Sequence, residues 1–389
     1  MNKIIKQILD ENIDDIIKHR RHIHQNPETG WNENETSKYI FNILQSYGLA
    51  PEYLTPTGVS VEIKSTNNSQ KTIAFRADID ALPFPELSDL PFKSTNPNAS
   101  HLCGHDVHTA IVLGVAKILS ELQAKDMLQN NIKLIFQPAE ELIPGGAEHM
   151  IDTTDFLNGV DEIYALHVEP KLDVGKIGLR IGAITSATDV INVTLNGKGG
   201  HTSRPYLAGD MLYALGKVIT DLPAIYQRHF DYRSVVNITW GAVKAGLTPN
   251  AIPSKAKLKG TLRTPDLDAW KMAPDVIPNF ISQIVAPYEI TADVEYIIGD
   301  PPVVNTADET NKIRKYATDL IGDENIVESE QSLGGEDFAW YLRKVKGSML
   351  RLGVHTPGGN AYDLHRGDLV IDEKAIPLAI ELFANIAID

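Results

Sequence analysis

The first part of the chain alternates between two hydrophobic patterns. Apolar residues recur every three to four positions over residues 34–48 and 109–123, a spacing that predicts helices. Short apolar runs that predict buried strands lie between them, at 71–83, 131–141 and 161–170. Alternating helices and buried strands indicate the α/β class, with a mainly parallel sheet that carries helices on both faces.

The pattern changes near residue 186. Strand-like runs bounded by Gly-rich and Asn-Gly turns then predict antiparallel pairing, with two helical patterns among them. These strands are expected at 189–199, 234–244 and 255–264, and the helices at 209–222 and 267–284. The α/β pattern later resumes with a strand over 348–354 and a final helix after Asp372. We therefore predict a catalytic domain of residues 1–185 and 300–389, interrupted by an inserted α+β domain at 186–299.

Composition narrows the classes of partner. The chain has 389 residues and a net charge of −15, with 36 Lys and Arg against 51 Asp and Glu. Such a surface repels phosphate backbones and anionic lipid, so we expect neither nucleic acid nor a membrane as a partner. No uninterrupted apolar run approaches the length of a membrane span, and the N-terminus lacks the apolar stretch of a signal peptide. The single cysteine fits a reducing compartment, so we expect a cytoplasmic protein.

Residues that can bind metals follow three of the predicted strands. Asp78 and Asp80 end the first run, Glu140 and Glu141 end the second, and His167 lies near the end of the third. Open α/β folds bind ligands at the carboxyl edge of the sheet, where these strand ends meet. One such residue alone would most often be an ordinary loop residue. Their convergence predicts a site.

The lone cysteine lies in the sequence HLCGHD, directly before a predicted helix. Cys103 and His105 flank Gly104, which allows a tight turn. Three interpretations remain open from the residues alone. Cys103 can be a buried small residue, a nucleophile activated by His105 with Asp106 orienting the base, or a ligand of zinc or a related metal.

The pair Glu140–Glu141 favours the metal. Two adjacent carboxylates point in different directions, so one can bind an ion while the other takes a proton from water. Metal-assisted amide hydrolysis uses that division, with the second carboxylate as general base. His365, in the sequence LHRGD, can return to the same edge, and Asp80 can orient a ligand from behind.

Nine ordered motifs resemble the aminoacylase/hippurate hydrolase-like amidohydrolase branch of the peptidase M20 metallopeptidase family. They span almost the whole chain: HRRHIHQNPETGWNENETSKYI, FRADIDALP, HLCGHDVHTA, FQPAEE…PGGA, LHVEP, GKGGHTSRP, TPNAIPSKAKLKGTLRT, GGEDFA and LHRGD. The resemblance implies a phosphorylase/hydrolase-like catalytic domain that holds two metal ions. It also implies a ferredoxin-like inserted lid through which the chain forms a homodimer.

Site residues follow from the resemblance one by one. The implied metal ligands are Cys103, His105, Glu141, His167 and His365. Glu140 takes the general-base position and Asp80 the supporting one, whereas Asp78 is not claimed as a ligand. Cys103 occupies the place of a bridging ligand between the two ions, which are zinc, manganese, cobalt or nickel. In the lid, His201 would stabilise the oxyanion, and Asn250 and Arg263 would hold the substrate carboxylate. Outside the lid, Gly335 belongs to a loop that would line the site, where it would let the backbone approach the substrate.

The implied activity is hydrolysis of the amide bond of N-acetyl or N-aroyl amino acids, which releases a carboxylate and a free amino acid. A dipeptidase or carboxypeptidase acting on short peptides would use the same chemistry. Two further functions remain open, a cysteine hydrolase built on Cys103 and His105, and a catalytically silent homologue that binds an amino acid or a metal.

Overall fold

The computed structural model describes residues 2–67, 69–231 and 233–389. The chain divides into two compact units. The first unit consists of Met1–Gly182, Val304–Glu330 and Asp337–Asp389, and the second of Ala183–Val303 and Gln331–Glu336. The short return of residues 331–336 to the second unit has no counterpart in the hydrophobic pattern of the chain.

The described residues form helices and strands throughout both units. The α-helices are α1 (Asn2–Gln25), α2 (Asn34–Ser46), α3 (His105–Ala124), α4 (Gly146–Thr153), α5 (Met211–Gln227), α6 (Leu267–Val285), α7 (Ala307–Ile321), α8 (Phe338–Leu342) and α9 (Ala375–Ala387). The strands are β1 (Glu52–Tyr53), β2 (Val59–Ile63), β3 (Thr72–Asp78), β4 (Asn131–Gln137), β5 (Glu162–Asp173), β6 (Ile177–Leu179), β7 (Gly182–Ala183), β8 (Asp189–Asn196), β9 (Gly200–His201), β10 (Asn237–Ala245), β11 (Ala251–Ile252), β12 (Lys255–Arg263), β13 (Thr291–Ile297), β14 (Val304–Asn305), β15 (Ile326–Glu328) and β16 (Lys346–His355).

The first unit is built on an eight-stranded mixed sheet. Its order is β1-β2-β4-β3-β5-β16-β6-β15. The four central strands β4, β3, β5 and β16 are parallel to one another. The β1–β2, β2–β4 and β16–β6 pairs are antiparallel, and β15 joins β6 in parallel at the edge. The central strands are buried over most of their length, as expected for strands covered by helices. The predicted mainly parallel α/β sheet is confirmed.

Helix α3 lies at the centre of the first unit. Its side chains are mostly buried, and it packs with α1, α9 and strand β3. Among the described residues it is the one helix whose length and apolar composition would suffice to cross a membrane. Because it is largely enclosed by the rest of the unit, it has the burial of a core helix.

The second unit has the ferredoxin-like arrangement. Its four-stranded antiparallel sheet has the order β10-β12-β8-β13, and the chain order is strand, helix, strand, strand, helix, strand. Strand β8 alternates strictly between buried and half-buried positions, so one face of the sheet packs on α5 and α6. The predicted α+β class of this segment is confirmed.

Asp189 ties the second unit together at the start of β8. The buried carboxylate accepts hydrogen bonds from Trp270 Nε1 (3.0 Å), the backbone N–H of Gly299 (2.8 Å) and the hydroxyl of Tyr296. These donors lie on α6, after β13 and on β13. A single side chain therefore links the sheet to a helix and to the end of the inserted segment.

We expect Asp189→Ala to destabilise the second unit by roughly 2–4 kcal/mol, because donors left without an acceptor cost about 1–3 kcal/mol each, while removal of a buried carboxylate offsets part of that loss. Urea unfolding followed by tryptophan fluorescence would measure the loss. Asp275→Ala, an exposed carboxylate on α6, is the matched control and should change stability by less than about 0.5 kcal/mol. Equal effects of the two substitutions would contradict this role for Asp189.

Candidate metal centre

Strands β3, β4 and β5 position four of the candidate side chains, namely Asp80, Glu140, Glu141 and His167. The register pairs Asp78 with Gln137, so β3 and β4 end at the same level. Asp80 therefore follows β3 by two residues, and Glu140 and Glu141 follow β4 at the same edge of the sheet. His167 lies within β5, the other neighbour of β3.

Gly104 makes the turn that presents Cys103 and His105. Its φ of 87° lies in the left-handed region, which glycine adopts without the steric cost other residues incur. A Cβ atom at this position would lie 2.4 Å from Cγ2 of Val168. His105 then begins α3, while Cys103 lies directly before the turn, so both side chains face the ends of the strands.

The loop after β4 directs the two glutamates. Ala139 has a φ of 52°, and its carbonyl accepts a hydrogen bond from the N–H of Gly146 at 3.0 Å, which closes the loop. Asp80 Oδ2 accepts the N–H of Glu141 at 3.1 Å. The loop is thus attached both to itself and to the end of the neighbouring strand.

Two groups of donor atoms share one sulfur. Cys103, His105 and His167 form one group, and Cys103, Glu141 and His365 form the other; within each, the ligand atoms lie within 4.8 Å of one another. The Cys103 Sγ atom is 3.3 Å from His167 Nε2, and Glu141 Oε1 is 3.3 Å from His365 Nε2. Two overlapping groups with Cys103 in common are the arrangement that a bridging thiolate requires.

Glu140 stands beside the donors without belonging to either of these two groups. Its Oε2 atom is 3.8 Å from His105 Nε2, and its side chain is 10% exposed. A carboxylate in this position can reach a water molecule held between the donors and take its proton.

Hydrogen bonds hold the histidines in the orientation that a metal needs. His105 Nδ1 lies 2.9 Å from the carbonyl oxygen of Asp80 and 3.2 Å from its Oδ1 atom. His167 Nδ1 donates to the carbonyl of Val168 at 2.8 Å. Both rings therefore leave Nε2 for a cation, and a partner on the other nitrogen is typical of metal-binding histidines.

The site has buried polar atoms that a cation would satisfy. Among the described residues, the buried atoms His105 Nε2 and Glu141 Oε1 make no hydrogen bond, although Glu140 Oε2 lies 3.8 Å from the first and His365 Nε2 lies 3.3 Å from the second. Buried polar groups without partners are costly. A thiolate, imidazoles and carboxylates are donors that zinc and neighbouring divalent metals accept, so the residues present fit such ions.

Electrostatics of the side chains agree with that fit. Burial raises the pKa of the Cys103 thiol well above its ordinary value, and the charges of Glu141 and Glu140 raise it further. Burial lowers the pKa of His105, but Asp78 and the other neighbouring carboxylates outweigh it and raise the pKa to about 10. The neighbouring carboxylates therefore favour the protonated forms of both the Cys103 thiol and the His105 imidazole.

Asp78 and His108 also lie close to His105, but their bonds give them a structural role. His108 Nδ1 donates to Asp78 Oδ1 at 2.6 Å, and His108 Nε2 accepts the N–H of Val168 at 3.0 Å. Arg76 donates to the other Asp78 oxygen at 2.7 Å. Both nitrogens of His108 are therefore used within the protein, and Asp78 is paired with a buried guanidinium.

The geometry does not favour Cys103 as a nucleophile. Asp106, the residue expected to orient a base, instead pairs with Arg20 Nε and His24 Nδ1, each at 2.8 Å. The imidazole nitrogen within hydrogen-bonding distance of the sulfur is His167 Nε2, at 3.3 Å, and not a nitrogen of His105. The pairing of Asp106 with α1 could not be read from sequence spacing.

Four of the predicted site residues lie in the second unit, in two places. The first place joins β9 and β11, where His201 pairs with Ala251 and the N–H of Thr202 donates to the carbonyl of Asn250 at 3.2 Å. His201 and Asn250 are both exposed there.

The second place is the end of β12. Arg263 Nη1 donates to the carbonyl of Leu333 at 2.6 Å, so the short return segment holds the guanidinium. Gly335 follows in that segment, and a Cβ atom on it would lie 2.8 Å from the Thr188 side chain. This close approach explains a glycine at position 335 without reference to a substrate.

The remaining candidate, His365, lies in a loop of the first unit. His365 has a φ of 62°, its N–H donates to the carbonyl of Leu102 at 2.8 Å, and its side chain is 49% exposed. Glu33, Arg76 and Asp337 are buried close to the site, and the hydrophobic pattern gave no signal for any of them.

Curated proteins similar to this chain include several deacetylases. It is 36% identical over 376 residues to N-acetyldiaminopimelate deacetylase of Geobacillus thermodenitrificans, covering 95% of this chain and 96% of that protein. It is 35% identical over 379 residues to N-acetylcysteine deacetylase of Bacillus subtilis, covering 96% of both.

Another relative is longer. The chain is 39% identical over 361 residues to a Rhodococcus jostii protein whose name contains glutamate–cysteine ligase. The match covers 93% of this chain but 45% of that protein, so the chain spans less than half of its length.

Solved structures agree in fold over almost the whole chain. A protein of methicillin-resistant Staphylococcus aureus superposes with a TM-score of 0.93 at 30% identity, covering 100% of this chain and 99% of that one. A dinuclear metal-binding peptidase of the M20 family from Bacillus subtilis superposes with a TM-score of 0.82 at 32% identity, covering 96% and 97%.

The sequence profile of one family matches residues 74–389, which include every candidate site residue named above except Glu33. Together with the similarity to the deacetylases and to the dinuclear peptidase, this match gives the family and its metal-dependent hydrolysis of amide bonds. The chain belongs to Peptidase family M20/M25/M40 and is a metal-dependent amidohydrolase of that family.

Proposed function

We propose that the protein hydrolyses the amide bond of N-acyl amino acids, with an N-acetyl or N-aroyl group as the acyl portion. The observation that carries the proposal is the pair of donor groups that share Cys103, with the Glu140 carboxylate beside them. The names of the two deacetylases support the substrate class.

The side chains have distinct roles in the proposed reaction. His105, His167, Glu141 and His365 hold two divalent cations together with Cys103. When bound, the cations would lower the pKa of a water molecule and polarise the amide carbonyl. Glu140 accepts a proton from the water that attacks the carbonyl carbon. It then donates that proton to the nitrogen as the C–N bond breaks.

Asp80 supports this arrangement from behind. Its carboxylate lies 3.2 Å from His105 Nδ1 and accepts the N–H of Glu141, so one side chain orients two of the proposed ligands. In the second unit, His201 is proposed to stabilise the oxyanion. Arg263 and Asn250 are proposed to bind the substrate carboxylate, for which a guanidinium is suited by its paired N–H donors. We further propose that the second unit forms a homodimer interface.

A substrate panel with defined metals tests the activity. Protein stripped with a chelator and reloaded with Zn²⁺, Mn²⁺, Co²⁺ or Ni²⁺ is expected to release free amino acid from N-acetyl or N-benzoyl amino acids, and the stripped protein to release none. A strong preference for dipeptides would instead identify a peptidase. No hydrolysis with two bound ions would support a silent binding protein.

We expect Glu140→Gln to lower kcat by about 10²–10⁴, the usual contribution of a general base. The amide cannot accept the proton, while the proposed ligands are unchanged. Turnover and metal content should be measured on the same preparation. Glu148→Gln, a half-exposed glutamate on α4, is the matched control. Near-normal turnover of Glu140→Gln with both ions bound would show that Glu140 is not the general base.

Substitution of Cys103 distinguishes a role as metal ligand from a role as nucleophile. A carboxylate in Cys103→Asp can still join two cations but cannot act as a thiol, so this variant should keep measurable turnover and two ions. Cys103→Ala should bind fewer ions because both donor groups lose a member. Metal content by mass spectrometry and turnover decide the matter. If Cys103→Asp holds two ions yet is as inactive as Cys103→Ala, the sulfur has a chemical role that we have not assigned.

A further inference from the structure

The segment between α1 and α2 has no role in the proposed reaction. It reads NPETGWNE over residues 26–33 and belongs to the first of the motifs quoted above. None of its side chains is a proposed ligand or base. In the structure, however, it contacts the ends of both strands that carry the proposed catalytic carboxylates.

The first contact is with the end of β3. The carbonyl of Glu28 accepts the N–H of Ala81 at 2.8 Å, and Thr29 forms a parallel bridge with Ala81. Ala81 directly follows Asp80. The backbone of the segment is thus attached next to the residue that orients His105 and Glu141.

The second contact is with the end of β4. Glu33 Oε1 accepts a hydrogen bond from the N–H of Ala139 at 2.8 Å. Ala139 is the residue directly before Glu140. The backbones also approach closely here, since a Cβ atom on Gly30 would lie 3.2 Å from Ala139 Cα. Ala139 is the residue with the left-handed φ of 52°, a conformation that non-glycine residues adopt only when their surroundings hold it.

Glu33 is available for this contact because another side chain caps the helix. Glu33 stands at the N-cap position of α2, but its side chain makes no capping bond. The carboxylate of Glu28 accepts the N–H groups of Glu35 (3.2 Å) and Thr36 (2.8 Å) instead. The Glu33 side chain is therefore directed away from its own helix and toward the loop of Glu140.

The placement of Glu33 is costly for folding. The residue is 0% exposed, and the donors around its carboxyl are its own backbone N–H, the N–H of Ala139 and the hydroxyl of Thr57. Burial raises the pKa of this carboxyl to about 7, against the opposing effect of hydrogen bonds that include the one from Ala139. Because burial still outweighs these hydrogen bonds, the carboxyl is costly to bury, so stability alone does not account for a glutamate at this position.

We propose that Glu33 is a positioning residue that acts through Ala139. Its side chain accepts the hydrogen bond of the Ala139 N–H and fixes the left-handed conformation of Ala139. It thereby sets the direction in which the Glu140 side chain points in the loop after β4. This proposal rests on the proposed function for the role of Glu140, whereas the contact itself belongs to the fold. A general base is effective only when its position is accurate, and a misplacement of about 1 Å can cost about 10²-fold in rate.

Two variants distinguish the effect of the length of the Glu33 side chain from the effect of its charge. Glu33→Gln keeps the length of the side chain and an oxygen that can accept the Ala139 N–H, but removes the charge. Glu33→Asp keeps the carboxyl group but is shorter by one methylene, about 1.5 Å, and cannot span the same distance. Glu35→Gln, an exposed change two residues away on α2, is the control for a substitution in this helix.

Two measurements are made on the full chain. Hydrogen–deuterium exchange of the Ala139 amide reports the contact without reference to activity, in metal-free and in metal-loaded protein. Steady-state kinetics on the N-acyl amino acid that the wild type hydrolyses best, together with metal content, report the effect on Glu140.

We expect Glu33→Gln to keep the protection of the Ala139 amide and to keep kcat within about 3-fold. In Glu33→Asp the amide should exchange about 10-fold faster or more, as for a locally opened hydrogen bond. Its kcat should fall by about 10–100-fold with KM within about 2-fold and two ions bound, because ligands and substrate contacts are unchanged.

Other results would overturn the proposal. These are equal kcat for the Asp and Gln variants, unchanged exchange at Ala139 in the Asp variant, or a fall in kcat that follows loss of metal. If the wild type hydrolyses nothing on the panel, the proposed function fails by itself. The exchange measurement then still decides whether Glu33 holds Ala139.

Discussion

The first unit depends on one constraint: β3, β4 and β5 are parallel neighbours, so residues that follow them must meet at one edge of the sheet. Carboxylates and a thiol brought together in this way repel one another when charged, and burial increases that cost. Burial and the neighbouring carboxylates raise the pKa of the Cys103 thiol, and the carboxylates raise the pKa of His105 against the effect of burial. Divalent ions remove the conflict, which makes the negative cluster and the metal chemistry two aspects of the same arrangement.

Supporting contacts show how accurately this edge is built. Asp80 reaches a histidine and the backbone of a glutamate, while Arg76 joins Asp78 to Asp337 within the same unit. These bonds lie behind the donor atoms and leave the faces toward the site open. The segment from Glu28 to Glu33 adds a second layer of contacts to the ends of the same strands. Rigid supports of this kind are what a reaction that needs an accurately placed base requires.

Much of this could be predicted from sequence. The alternation of patterns gave the α/β class and the α+β insertion, because periodicity reflects which faces are buried. Asp80 and Glu140 follow strand ends as expected, whereas His167 lies within β5, which continues to Asp173. The roles of the individual polar residues could not be derived from pattern and spacing, and only the family resemblance implied a ligand set. Asp78 and Asp80 are equivalent in the sequence pattern, but Arg76 and His108 form hydrogen bonds with the side chain of Asp78. Asp106 and Glu33 depend on contacts between distant segments, and local spacing contains no information about such contacts.

The central claim is that the sulfur of Cys103 is shared between two metal ions. Anomalous diffraction from crystals loaded with Zn²⁺, with data on both sides of the zinc absorption edge, tests it most directly. We predict two peaks, each about 2.3 Å from Cys103 Sγ, one beside His105 and His167 and the other beside Glu141 and His365. A single peak, or two peaks of which only one contacts the sulfur, would contradict the account.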